Sequence, residues 1–270
     1  MRAVLLLLAI AAGSMNLSAQ TRTASGFPET PTNFKFNRDL ITTWEYTRSF
    51  TGFKCGSVVG PYGNPQGTCQ FPVEQVEPLM NERAKAWFQF FDEPVSGKWA
   101  CVGSGLNMKL SEPYLWSITT KPDEVIQHFE QANWVRHIWV DGRPHPPADE
   151  GYQYGHSIGR MDGKEFVVET TNFTFDPDGW DDHVHLPTSH LKKMTERYRV
   201  LKPGELEIEI TVEDPVFLKA PVTWTNPYRK TDKVFVGEWN CDPEVGLRHL
   251  YETIPQKYKD DINYEKYKTH

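Results

Sequence analysis

The stretch "GWDDHVHLPTSH", residues 179–190, gathers three of the chain's nine histidines together with two aspartates. Two chemistries suit that composition. If the segment is locally extended, His183 and His185 share a side, and with His190 or Asp182 they make an acceptable three-donor set for catalytic zinc or iron. The alternative is proton transfer, because histidine changes charge near neutral pH. A second cluster, "VDGRPHPPADEGYQYGHSIGR" over 140–160, carries Arg143, His145 and His156. Pro144, Pro146 and Pro147 fix φ and stiffen the segment that holds Arg143 and His145. Glycines near His156 allow close approach of backbone or ligand. A third candidate is Glu196 in "KKMTERYRV". Met194, Glu196, Tyr198 and Val200 share the more apolar face of that segment, so the carboxylate points inward and needs a partner or a raised pKa. Pairing with an inward arginine is the competing, structural reading of Glu196.

Taken together, these residues favour acid/base chemistry over a metal. His156 is expected to act as general base or acid, oriented by Asp182, with Glu196 or Tyr198 as the proton donor. Arg143, His145, Arg160, Trp139 and Trp180 are expected to position the ligand. His183, His185 and His190 form the metal alternative. His128 and His137, mid-strand among aromatics, read as ordinary sheet residues. Ser157 follows His156 directly and is not read as a nucleophile elbow, and neither a P-loop nor HExxH occurs. The function expected is therefore a cofactor-independent enzyme, a lyase or isomerase before a hydrolase, acting on a small, partly apolar organic molecule. A lipocalin-like small-molecule binder without catalysis is the alternative. A metal-dependent enzyme using the 182–190 loop is the third reading.

Such residues need a frame, and from about residue 113 the hydrophobic period is two. "YLWSITT", "VIQHFEQ", "WVRHIWV", "HSIGRM", "EFVVETTNF", "KKMTERYRV", "ELEIEITVE", "VTWTNPY" and "KVFVGEW" alternate, separated by turns such as "KPDE", Asp162-Gly163 and "LKPG". In "ELEIEITVE" the residues Leu206, Ile208, Ile210 and Val212 fall on one face of a strand, with glutamates opposite. The pattern predicts a mainly β fold, an antiparallel meander of about nine strands. An open sheet would leave exposed edges, so the meander is expected to close into a lipocalin-like (calycin-like) barrel. A two-sheet sandwich is the second choice. Barrels of about eight strands hold one small ligand, so an enclosed pocket lined by Trp, Phe and Tyr is expected. One helix is predicted over 77–91, N-terminal to the strands, with Pro78 in its first turn.

The chain opens "MRAVLLLLAIAAGSMNLSAQ", one arginine and then an unbroken apolar run, which reads as a signal peptide over 1–19. Residues 20–75 read as an irregular N-terminal arm, 76–252 as the helix plus β-barrel domain, and 253–270 as a C-terminal tail. Loss of residues 1–19 removes one charged residue, Arg2, so the net charge of −7 becomes −8. That balance does not suit nucleic acid or an anionic membrane surface. A small-molecule ligand or substrate is the expected partner, without membrane insertion, and the oligomeric state is left open. Four cysteines in an exported chain favour disulfides over zinc. Of three pairings, Cys55–Cys69 with Cys101–Cys241 is favoured. The address is the periplasm or the secreted fraction.

The motifs "DGRPHP", "GHSIGR", "FVVETTNF" and "TERYR", followed by "LEIEITVEDP", resemble a large family of exported, mostly uncharacterised bacterial proteins, with the likeness running from about Leu79 to His249. The resemblance implies an address outside the cytoplasm. It places Asp141, Arg143, His145, His156, Arg160, Asp182 and Glu196 in that family's polar signature, and Cys101 and Cys241 at positions where it carries cysteine. Thr188, where the family has histidine, and His190, where it has an acid, depart from the pattern.

Overall fold

Alternation along β8, Glu205–Glu213, sets the architecture: Leu206, Ile208, Ile210 and Val212 are buried while the intervening glutamates stay accessible. A strand with one apolar edge must cover it, and the same demand recurs in every neighbour. The solution, in a computed structural model that describes residues 33–47, 76–90, 97, 101–103, 105–177, 179–180, 186–235, 241–245 and 248, is a closed barrel of nine strands. They are β1 Thr43–Tyr46, β2 Trp116–Lys121, β3 Glu124–Phe129, β4 Val135–Trp139, β5 His156–Asp162, β6 Glu165–Thr171, β7 Lys193–Lys202, β8 and β9 Val222–Lys230. Each pairs with the next in sequence, and β9 returns to β1.

The hairpin turns follow from local chemistry. Asp162 pairs with Glu165 around Gly163 at φ +61°, and Lys202 pairs with Glu205 around Pro203 and Gly204 at φ +82°. Positive φ at glycine lets a two-residue connection match the strand twist.

Two features correct the expected antiparallel meander. The first is that β4 and β5 are parallel, in register at Ile138↔Ser157 and Trp139↔Ile158. Residues 140–155, the proline-stiffened segment, carry the chain back to the end where β4 began. Parallel neighbours require a crossover of that length, and the prolines make it irregular rather than helical. The second is which strands close the barrel. β1 comes from the segment read as an irregular arm and bonds both β2 and β9. Residues 233–235 of the expected last strand are irregular. The position beside β9 is taken by β1, where Trp44 is fully buried against Trp116.

Helix α1 spans Glu82–Phe90. It starts later than the sequence pattern predicts because Asn81 caps it, its Oδ1 accepting from the backbone of Arg83 and Ala84. Ala84 is buried and Ala86 exposed, so the helix packs through the side that carries Ala84. A second short helix, α2 Leu106–Lys109, is buried along its length. Among the described residues no helix is long and apolar enough to cross a membrane.

The barrel interior is occupied by side chains. Trp116 meets Tyr228 at 5.1 Å and Tyr198 at 6.4 Å between ring centroids, and Phe166 meets Tyr198 at 5.7 Å. Phe36 seats its ring edge-on against Phe166 at one end, 4.9 Å away, while Trp180 packs on Trp224 at 6.1 Å. The aromatics expected to line a ligand pocket pack on one another instead.

Cys101 and Cys241 form a disulfide across a sequence separation of 140. Cys55 and Cys69 lie outside the described residues. Closing so long a loop restricts the unfolded chain, a contribution of about 5 kcal/mol in the chain-entropy account. The Cys101→Ser/Cys241→Ser double variant should unfold at lower urea, with a loss of roughly 2–5 kcal/mol, while keeping its far-UV circular dichroism.

Candidate functional site

The polar residues of the strands divide between the two sides of the wall. Inside, Arg136 on β4 is enclosed by four residues that accept five hydrogen bonds. Its Nη1 donates to Glu196 Oε2 (2.9 Å) and Gln127 Oε1 (2.8 Å), its Nη2 to Glu196 Oε1 (2.6 Å) and Thr170 Oγ1 (2.8 Å), and its Nε to Ser157 Oγ (3.0 Å). A guanidinium has five N–H donors, and all are used. Tyr198 donates to Glu196 Oε2 at 2.6 Å and accepts from Gln127 Nε2 at 2.8 Å. Burial works against the guanidinium charge, but Glu196 outweighs it and raises the Arg136 pKa. Burial, reinforced by the Glu196 charge, pushes the Tyr198 phenol well above its ordinary value. The expected inward placement of Glu196 and Tyr198 is observed, and the structural alternative, an inward arginine, is what meets them. Both are fully buried.

Ser157 belongs to this inner network. Although Gly155-His156-Ser157-Ile158-Gly159 spells GxSxG, Ser157 lies within a strand, buried, 3.0 Å from Thr170 Oγ1. A nucleophile elbow instead exposes its serine on a strand-to-helix turn.

Successive strand residues point to opposite faces, so His156 stands outside the wall that Ser157 faces into. Glu196 and Tyr198 are thus separated from His156 by the sheet itself. What the fold brings to His156 is His145, expected from the sequence to position a ligand. Their Nδ1 atoms are 3.0 Å apart and the half-buried rings meet edge to face, centroids 5.2 Å apart.

The crossover is built to hold that contact. Asn172, at the end of β6, sits at φ +57°, and its Nδ2 donates to the carbonyls of Pro146, Pro147 and Glu150. A non-glycine residue in the left-handed region costs energy unless its surroundings over-determine it. Here three carbonyls of the proline-rich segment do so. Backbone bonds from Tyr152 N to Asn172 O and from Thr174 N to Tyr152 O zip the next residues onto the same strand end. Gly155 turns the chain into β5 at φ +67°, where a Cβ would lie 2.6 Å from Thr171 O, so no side chain fits.

Around the pair, Arg143 is gripped by Asp141 (Nη2 to Oδ2, 2.6 Å) and lies 3.7 Å above the Trp139 ring. Tyr152 is 6.4 Å from His156 between centroids. Burial lowers both histidine pKa values, and for His156 the charges of His145 and Arg143 lower it further against Asp141 and Glu150. Burial acts on His145 against the opposing charge of Glu169. Near neutral pH both rings are uncharged. One must donate Nδ1–H and the other accept at Nδ1.

The remaining expected site residues are dispersed. Arg160 is exposed and pairs with Glu169 at 3.3 Å. Trp180 is a fully buried core residue whose carbonyl accepts from Asn107. His190 is exposed, and Asp182, His183 and His185 lie outside the described residues. Among those described, no group of three or more His, Cys, Asp or Glu side chains is arranged to hold a metal ion. His128 is buried in the sheet, its Nε2 2.9 Å from Thr119 Oγ1, and His137 pairs with Glu124 at 2.6 Å. The sequence reading missed Lys192, a buried lysine whose Nζ lies 4.1 Å from the Phe173 ring centroid and whose pKa burial lowers to about 8. Only its place next to a proline-broken loop distinguished it. No protein-family model matches the chain, and no curated protein matches it.

Removing one partner of the inner ion pair strands a buried charge. Arg136→Met or Glu196→Leu should each lose roughly 3–5 kcal/mol in urea unfolding, and the double variant should recover most of that loss. Acid provides a separate test. Burial, with smaller contributions from His137 and Lys121, lowers the His128 pKa from 6.5 to about 4. The unfolded chain therefore binds the proton first, so stability is full above pH 6.5 and declines as pH falls towards 4. His128→Gln should flatten that limb of the urea midpoint, leaving the smaller share owed to His145 and His156.

Proposed function

We propose that the protein is an exported, cofactor-independent acid/base enzyme in which His145 and His156 act as one proton-relay unit on a small, partly apolar organic molecule. The observation that carries this reading is the 3.0 Å contact between the two Nδ1 atoms. A neutral pair joined there offers a bare Nε2 on the donor ring and an Nε2–H on the acceptor ring. The bare Nε2 takes a proton from substrate, the shared proton passes across, and the second ring gives up its Nε2 proton. The pair is then the mirror of its starting state, with one proton moved from one Nε2 to the other. Abstraction at one atom and delivery at another is what isomerisation and elimination require, and hydrolysis uses the same base to activate water. Trp139 and Tyr152 supply the apolar flank. The signal-like opening supports export, as does the Cys101–Cys241 disulfide, which an oxidising compartment maintains.

The experiment is isotope incorporation. Purified protein is incubated with a panel of small hydroxy acids, esters and carbonyl compounds in D2O or H2¹⁸O, and products are read by mass spectrometry. The wild type should label at least one compound, and His145→Gln and His156→Gln should each slow that labelling about 10²–10⁴-fold. The rate should be flat near neutral pH and fall as acid protonates the pair, at a pH below the ordinary histidine value. A compound that binds tightly and is released without label from every variant would make the protein a carrier and end the enzymatic reading.

A further inference from the structure

The relay needs a proton between the two Nδ1 atoms, but their geometry also fits another occupant. Two nitrogens each about 2.1 Å from a shared cation and 3.0 Å from each other subtend an angle of roughly 90°. That is a cis angle of square-planar or octahedral coordination, not the tetrahedral angle preferred by structural zinc. Imidazole nitrogens in tetragonal geometry are donors suited to divalent copper or nickel.

We propose that His145 and His156 form a two-nitrogen seat for a divalent copper- or nickel-type cation, which binds in place of the shared proton, with its remaining positions open to water. The seat does not rest on the enzymatic reading, because it needs only the two lone pairs to converge. Two features favour it. The separation of the two nitrogens is held by the Pro144–Pro147 segment, the Asn172 clamp and the Gly155 turn. Of the charged groups that act on the pair, Asp141, Glu150 and Glu169 favour a cation, and Arg143, already neutralised by Asp141, opposes it.

Protons balance. In the neutral pair one ring carries Nδ1–H and the other Nε2–H. When both Nδ1 atoms bind the cation, the first ring takes its proton at Nε2 instead, so binding at neutral pH releases no net proton. It also removes the bridge on which the relay runs, so the cation should inhibit proton transfer.

The test is titration of chelator-stripped full-length protein with CuCl2 and with NiCl2, followed by calorimetry and, for copper, electron paramagnetic resonance. One equivalent should bind, with nitrogen hyperfine structure from two imidazoles. His145→Ala and His156→Ala should each weaken binding at least 10-fold while circular dichroism stays unchanged. His137→Ala and His190→Ala should leave binding intact. Unaltered affinity in both His145→Ala and His156→Ala would overturn the proposal, and so would less than a tenth of an equivalent bound by the wild type. If the cation instead accelerates isotope labelling, the seat stands and the metal-free relay falls. If binding is absent while labelling persists, the relay stands and the seat falls.

Discussion

The barrel is organised around one buried charge, the guanidinium of Arg136. Its ligands come from β3, β5, β6 and β7, through Gln127, Ser157, Thr170 and Glu196. Two ions taken out of water cost several kcal/mol each, and their attraction offsets this only when every donor is satisfied. Here every N–H of the side chain has an acceptor, so the barrel must hold all four partner strands at fixed registers. A one-residue slip of any of them would send its ligand to the outer face and leave a donor unmet. The demand matters at the parallel seam. β4 and β5 share only two register pairs, Ile138↔Ser157 and Trp139↔Ile158, as few as β1 and β2 do, so the Arg136–Ser157 bond supplements a short joint of the wall.

That seam also sets the position of His156. Ser157 is drawn inward by Arg136 and Thr170, and the pleat then turns its neighbour outward. The polar interior is therefore a structural element, and the proposed proton relay lies on the other side of the sheet. Both carboxylate oxygens of Glu196 are engaged on the inner side, by Arg136 and Tyr198, so this acid is part of the network that fixes register.

The parallel seam has a second consequence. A hairpin would have joined β4 to β5 with a few residues, whereas a parallel entry requires the chain to travel the height of the wall. The 140–155 crossover is the result, and its length gives His145 room to return to the start of β5. Asn172 then converts a loose excursion into a fixed one by collecting three of its carbonyls. The strained backbone at Asn172 and the glycine at 155 stand immediately beside the two histidines, where rigid placement of side chains has a use.

Much of this was written in local pattern. The alternation of β8, the hairpins at Gly163 and Gly204, the closure of a mainly β barrel and the inward direction of Glu196 all follow from periodicity of two, turn residues and the cost of an unpaired buried charge, whereas the cysteine count only favoured the Cys101–Cys241 pair among three possible pairings. β1 could not be read this way, because four residues carry too little period to stand out from an irregular segment, and their place is earned by Trp44 reaching Trp116. The direction of β4 relative to β5 is equally invisible locally, since both read as alternating strands whichever way they pair. Sequence by itself thus determined the kind of wall and which side chains face through it. Only the tertiary structure decided that His156 meets His145 instead of Glu196, because partnership across a sheet depends on strand order and direction, and those are set by long-range packing around Arg136.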